Sequence, residues 1–182
     1  MREVTIKKIN QELNMPKYAT DGSVGVDLIV REDTLVPCNK FIHNIKDIFQ
    51  EMLKVIAYQE SNKIETMIGE LPDSFNFKRT MIPLNIQVQY PEKKWGLLVP
   101  RGSLYKEKGI VQSNSVGIID TDFCSEHWFP AINLSNKDVL IKKGEAICQL
   151  IFLTFEQVKL IEGEVRQHEK HNGNGSTNGY KK

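Results

Sequence analysis

The run Pro83-Leu84-Asn85-Ile86-Gln87-Val88-Gln89 decides the fold class. Leu84, Ile86 and Val88 alternate with Asn85, Gln87 and Gln89. A period of two puts the apolar side chains on one face and the amides on the other, as in a half-buried strand. The same texture extends in both directions, as short apolar runs cut by Gly, Pro, Asn and Asp. Upstream, Val4 and Ile6 open a strand, and 24–30 follows the turn signal Asp21-Gly22-Ser23. Downstream, strands are expected at 95–99, 116–119, 129–134 and 139–141, with 146–155 as the most buried of all. Strands do not alternate with helices, so a parallel α/β sheet is disfavoured. The expectation is an all-β jelly roll or related sandwich.

One segment has a different period. Phe41, Ile45, Ile48, Phe49, Met52, Leu53 and Ile56 recur at helical spacing, with Asn44, Lys46, Asp47, Gln50, Glu51 and Lys54 between them. This predicts an amphipathic helix over 41–56, followed by a shorter one near 64–68. Its stripe either packs on the sandwich or offers a contact surface to another subunit or protein partner. The last residues, 168–182, are Asn, Gly, Ser, Lys and His with almost nothing apolar, the composition of a disordered end. The domain expectation is therefore a single unit over 1–167, a helical insertion at about 38–78, and a flexible tail.

Composition narrows the function classes. Among 182 residues, 24 Lys+Arg against 23 Asp+Glu leave a net charge of +1, without the basic excess of a dedicated nucleic-acid binder. No apolar run approaches the roughly 20 residues of a membrane span. Cys38, Cys124 and Cys148 are odd in number and show no C-x-x-C spacing, which points to a reducing cytoplasm rather than a disulfide framework or zinc site. The four histidines are scattered, and neither a Walker A nor a G-x-G-x-x-G motif is present.

Three stretches carry the parts for chemistry. Pro100-Arg101-Gly102-Ser103-Leu104 sets a guanidinium, bare backbone and a hydroxyl after an apolar strand, a combination that can hold phosphate but also occurs as an ordinary Gly-Ser turn. NSVGIIDTDF at 114–123 ends a buried apolar strand in two carboxylates and a ring. Its bland alternative is a hairpin corner with common Asp-x-Asp turn chemistry. KGEAICQL at 143–150 feeds a strand in which Gln149, amid apolar neighbours, must find hydrogen-bond partners.

In this order the stretches resemble the homotrimeric dUTPase family. ATDGSVGVDL at 19–28 is similar to its first motif, PRGSLYKEKGI at 100–110 to the second, NSVGIIDTDF to the third, and 144–150 to the fourth. GNGST at 173–177 partly echoes the fifth. The resemblance implies a jelly-roll homotrimer that hydrolyses dUTP to dUMP and pyrophosphate with Mg²⁺, each active site being built from all three chains. Asp120 would be the general base. Asn114 would read the uracil edge with hairpin main-chain groups at Gly117 and Ile119, and Phe123 would pack on the deoxyribose. Arg101, Gly102, Ser103 and Gln149 would hold the triphosphate, helped by Ser176 and Thr177. Asp27 would organise the metal through its waters. The location implied is cytoplasmic, or the host cytoplasm for a viral chain.

The departures from the pattern are local. Gly102 stands where the family usually has Ser, Phe123 where it has Tyr, and Ser125 where it has Gly. In the fifth motif Asn174 takes the place of the aromatic lid and Glu169 that of an Arg, with Lys170, His171, Lys181, Lys182 and Tyr180 nearby. Two rivals remain at this stage. One is a dCTP deaminase, with Glu126 as its proton-transferring carboxylate. The other is a nucleotide- or protein-binding module with weakened catalysis.

Overall fold

The computed structural model describes residues 3–39, 49, 50, 53 and 78–164. The largest sheet runs β2 (Lys17–Tyr18), β3 (Val26–Ile29), β12 (Ala146–Thr154), β7 (Lys94–Pro100), β9 (Gly117–Ile119). A three-stranded sheet runs β5 (Arg79–Pro83), β10 (Trp128–Asn133), β8 (Ile110–Gln112). Two pairs complete the set: β1 (Thr5–Lys8) with β6 (Ile86–Gln89), and β11 (Val139–Ile141) with β4 (Thr34–Val36). Every pairing is antiparallel. All four sheets feed one core through Leu28, Val36, Ile82, Ile86, Leu98, Phe129, Ile141 and Leu150. Each such buried side chain contributes about 1.5–3 kcal/mol. The architecture is the all-β jelly roll that the alternating strands predict.

The deciding stretch is two strands rather than one. β5 pairs with β10 and β6 with β1, so the chain changes sheets at Leu84-Asn85. Asn85 has φ 62°, a left-handed conformation that Asn adopts more readily than most residues. It is fully buried, yet its amide is satisfied. Oδ1 accepts the Asn10 N–H at 2.6 Å and Nδ2 donates to the Asn10 carbonyl at 3.3 Å. Alternation holds within β6, where Ile86 and Val88 are buried and Gln89 is exposed.

Other expectations change in detail. The second motif forms a helix, Gly102–Lys108, rather than a turn, and it seats Leu104 in the core. Gly109 ends that helix at φ 66°, its N–H donating to the Tyr105 carbonyl, the left-handed stop that glycine accepts without a Cβ penalty. The strand of the third motif is only partly buried: in β9, Gly117 is buried and Ile119 packs against the core, but Ile118 is 66% exposed. β12 buries Ile147, Cys148 and Leu150, but Ile151, Phe152 and Leu153 are only partly covered and Thr154 is exposed, so β10 is the more continuously buried strand. Of the apolar stripe at 41–56, Phe49 and Leu53 are described. Both are helical, and both are exposed, Phe49 at 58% and Leu53 at 45%. Apart from Gln50, the rest of the expected 41–56 helix, the shorter helix expected near 64–68, and the tail with Ser176 and Thr177 lie outside the described residues. Among the described residues no helix is long and apolar enough to cross a membrane.

Candidate active site

β12 is the element that gathers the first, second and fourth motifs. It pairs with β3 on one side, Gln149 opposite Asp27, and with β7 on the other, Cys148 opposite Pro100. The Arg101 N–H carries that ladder one residue further by donating to the Ile147 carbonyl at 2.9 Å. Three polar side chains meet as a result. Gln149 Nε2 donates to Asp27 Oδ1 at 2.9 Å, and Arg101 Nε lies 3.7 Å from the same oxygen. Arg101 also donates through Nη1 to the Ala146 carbonyl at 3.3 Å. Gln149 thus finds the partner its apolar surroundings require. Beneath them Cys148 is fully buried, and that burial, with the charge of Asp27, pushes its thiol pKa up. It is a packing residue here rather than a nucleophile.

Gly102 and Ser103 open the helix that follows Arg101. A Cβ on Gly102 would meet nothing within 4 Å, so the backbone does not demand glycine there. Arg101 and Ser103 are half-buried and Gly102 is exposed, which leaves the cluster open to an anion.

The third motif is built on the far edge of β7. Gly117 pairs with Leu98 and Ile119 with Gly96, which places Asp120 level with Trp95. The corner is tied down where Thr121 Oγ1 donates to the Lys94 carbonyl at 2.8 Å and the Phe123 N–H to the Asp120 carbonyl at 3.2 Å. Asp120 borders a cavity of about 1110 Å³, together with Trp95, Ile118, Thr121 and Asp122. A smaller cleft of about 510 Å³ near Asn10, Arg31 and Lys143 holds none of the motif residues. At the hairpin tip Ser115 takes φ 61°, and Asn114 accepts through Oδ1 from Gln112 Nε2 at 2.9 Å. Gly117 is needed for close approach, since a Cβ there would lie 3.0 Å from Leu98 Cβ.

Phe123 is 41% exposed, with one edge against the His127 ring at a centroid distance of 5.5 Å. His127 is buried between it and Tyr90, whose hydroxyl lies 2.9 Å from Nε2. The Ser125 carbonyl, 3.2 Å from Nδ1, can only accept. Nδ1 therefore carries the proton and Nε2 accepts from Tyr90. Burial lowers the His127 pKa, partly offset by that carbonyl, and keeps the ring neutral.

The two halves do not meet within one chain. From Trp95, level with Asp120, to Arg101 is roughly 20 Å of strand. Among the described residues no group of three or more His, Cys, Asp or Glu could hold a metal ion. Glu126 is engaged elsewhere, its Oε1 2.8 Å from Arg31 Nε. Sequence reasoning missed Gln112, Tyr90 and His127. The signal for Gln112 was weak, because Ser113 and Asn114 follow it and an amide there reads as the start of a polar turn, whereas Gln149 lies between Cys148 and Leu150.

Fold and site together define a jelly-roll domain with a cluster of Asp27, Arg101 and Gln149 at one end of a strand and a carboxylate-bearing hairpin at the other. The dUTPase family model matches residues 73–178. The deoxyuridine 5'-triphosphate nucleotidohydrolase of Finegoldia magna is 32% identical over 171 residues, 93% of this chain and 94% of its own. The enzyme of the same description from Dictyoglomus turgidum is 31% identical over 179 residues, 97% and 99% of the two chains. A solved structure of a variant dUTPase from phage 80alpha superposes with a TM-score of 0.67 at 15% identity, over 96% of this chain and 98% of that one, a likeness of fold. The chain belongs to the dUTPase family, a family of nucleotide hydrolases.

Proposed function

We propose that the protein hydrolyses dUTP to dUMP and pyrophosphate as a homotrimer, with Asp120 as the base. The observation that carries this reading is the split site. Asp27, Arg101 and Gln149 converge at one end of β7, while Asp120 stands roughly 20 Å away at the other. A second copy that sets its hairpin against the Arg101 cluster completes the constellation, and three copies in a closed ring complete three sites.

In the assembled site the Arg101 guanidinium, the Ser103 hydroxyl and the Gln149 amide receive the triphosphate. The exposed backbone at Gly102 allows phosphate to approach closely, and Ser176 and Thr177 add hydroxyls from the tail. Asn114, with main-chain groups at Gly117 and Ile119, reads the uracil edge while Phe123 packs on the deoxyribose. Asp120 accepts the proton of a water whose oxygen attacks the α-phosphorus. The bond from that phosphorus to the bridging oxygen breaks, and pyrophosphate leaves.

The residues fit a hard cation held mostly by substrate and water. Asp27 is one carboxylate with Oδ1 engaged and no hydrogen bond at Oδ2 among the described residues. It is not a protein cage, and Mg²⁺ usually keeps several waters beside one or two carboxylates and substrate phosphates. When bound there, Mg²⁺ would offset triphosphate charge and fix its conformation.

Incubating the purified protein with each dNTP and Mg²⁺, and assaying pyrophosphate and ammonia, tests the reading. Pyrophosphate from dUTP alone is the expected result. Ammonia from dCTP would overturn it in favour of a deaminase, and binding without turnover in favour of a binding module.

A further inference from the structure

Gln112 is 6% exposed at the end of β8, beneath the hairpin that carries Asn114. Its Nε2 donates twice, to the Leu98 carbonyl at 3.3 Å and to Asn114 Oδ1 at 2.9 Å. The two bonds settle each other's polarity. A backbone carbonyl only accepts, so the amide nitrogen of Gln112, not its oxygen, must face Leu98. The same nitrogen reaches Asn114, which must therefore turn its oxygen inward. The end of the Asn114 amide directed away from Gln112 is Nδ2, a pure donor, on an exposed residue at the hairpin tip.

The arrangement is costly to keep. Gln112 Oε1 is buried without a hydrogen-bond partner among the described residues, and a buried unpaired amide oxygen is unfavourable. An apolar side chain of the same length would fill the space without that penalty. Gly117 supplies clearance, since a Cβ there would lie 3.2 Å from Gln112 Nε2. A backbone carbonyl on β7 thus sets, through one buried amide, which face an exposed amide shows.

We propose that Gln112 is a positioning residue for base selection: it locks the Asn114 amide with its N–H donors outward, so that the hairpin accepts a pyrimidine carbonyl and rejects an exocyclic amine. The inference rests on the proposed placing of the base at Asn114. Uracil offers an acceptor at C4 where cytosine offers a donor, and facing donors leave both unpaired. Without the lock, Asn114 can rotate its amide by half a turn and present Oδ1 to the amine of cytosine.

The test uses full-length Gln112→Met, which keeps length and volume but has no N–H. Steady-state kinetics with dUTP and dCTP should show KM for dUTP raised roughly three- to tenfold, the scale of one net hydrogen bond. The preference for dUTP over dCTP should fall by a similar factor, with kcat for dUTP changed less than the KM. The thermal midpoint should stay level or rise as the unpaired oxygen is removed. Gln112→Glu, of the same size but with no N–H to give, should lose the preference too. An independent readout is ¹⁵N relaxation of the Asn114 side-chain amide in the free protein, ordered in the wild type and mobile in Gln112→Met. A folded Gln112→Met with unaltered KM and preference, or with an Asn114 amide as ordered as before, overturns the lock. Wild-type protein that turns over no dUTP would instead sink the base-site reading, while relaxation still decides whether the lock exists.

Discussion

Asp120 stands at the rim of the large cavity with its corner fixed by Thr121 and Phe123, so its side chain can be changed without disturbing the fold. Asp120→Asn should lower kcat by about 10²–10⁴-fold, the usual loss when a general base is removed, while dUTP still binds by calorimetry. A variant that kept more than about a third of wild-type turnover would show that Asp120 is not the base. His127 gives a second prediction. Its folded pKa lies below the usual 6.5, chiefly because of burial. Between the lowered value and about 6.5 the unfolded chain binds more protons, so stability rises with pH through that window. The contribution is fully present above about 6.5 and is lost as pH falls through the window. Urea midpoints from about pH 7.5 to 5.5 should decline in the wild type and decline less in His127→Gln.

At the scale of elements, the break at Leu84-Asn85 sends the chain from β5 to β6 and so from one sheet to another. Asn85 makes that step with a left-handed backbone and two bonds to Asn10. Asn85→Ala leaves both Asn10 groups without their partner and should cost about 1–3 kcal/mol in urea unfolding. Gln87→Ala, on the outer side of the same strand, should stay within about 0.5 kcal/mol. Equal losses at both positions would mean that the corner is not what holds the two sheets in register. The Gly-rich tail belongs to this scale too. Its backbone N–H groups can stabilise charge that develops on phosphate, so a protein lacking 167–182 should hydrolyse dUTP more slowly than the full chain at equal folded concentration. Equal rates would leave the tail without a catalytic part.

At the scale of the molecule, the proposed split of the site across β7 makes oligomerisation a condition of activity. Asp120→Asn and Arg101→Ala should each be inactive alone, since each removes one half from every site. Co-expressed in equal amounts, they should regain about one quarter of wild-type activity, because random assembly in a closed trimer places an intact hairpin beside an intact Arg101 cluster at that frequency. Sedimentation of the mixture should give the mass of three chains. No recovery from a mixed trimer would mean that both halves act within one chain, against the strand geometry.

Much of this was legible in the residues themselves. Period-two alternation of Ile86 and Val88 with glutamines specifies a strand because side chains on a pleated backbone face alternate sides, and the ordered motifs from Asp27 to Gln149 announce the family. The half-buried amide of Gln149, set between Cys148 and Leu150, had to find a partner, and its partner could be anticipated as polar. The identity of that partner could not, because Asp27 and Gln149 are joined by strand register across 122 positions of chain, a long-range choice that local pattern does not encode. The same limit hid the change of sheet at Asn85, where a polar residue in an alternating run reads as surface until the fold buries it. It hid the exposure of Ile118, an apolar residue whose neighbours are decided by which strand edge is left open. It hid the Leu98 carbonyl that orients Gln112 and Asn114. Local propensity and periodicity determined the elements and the list of candidate groups; tertiary pairing alone decided which groups meet, which amide faces out, and that the two halves of the proposed site lie at opposite ends of one strand.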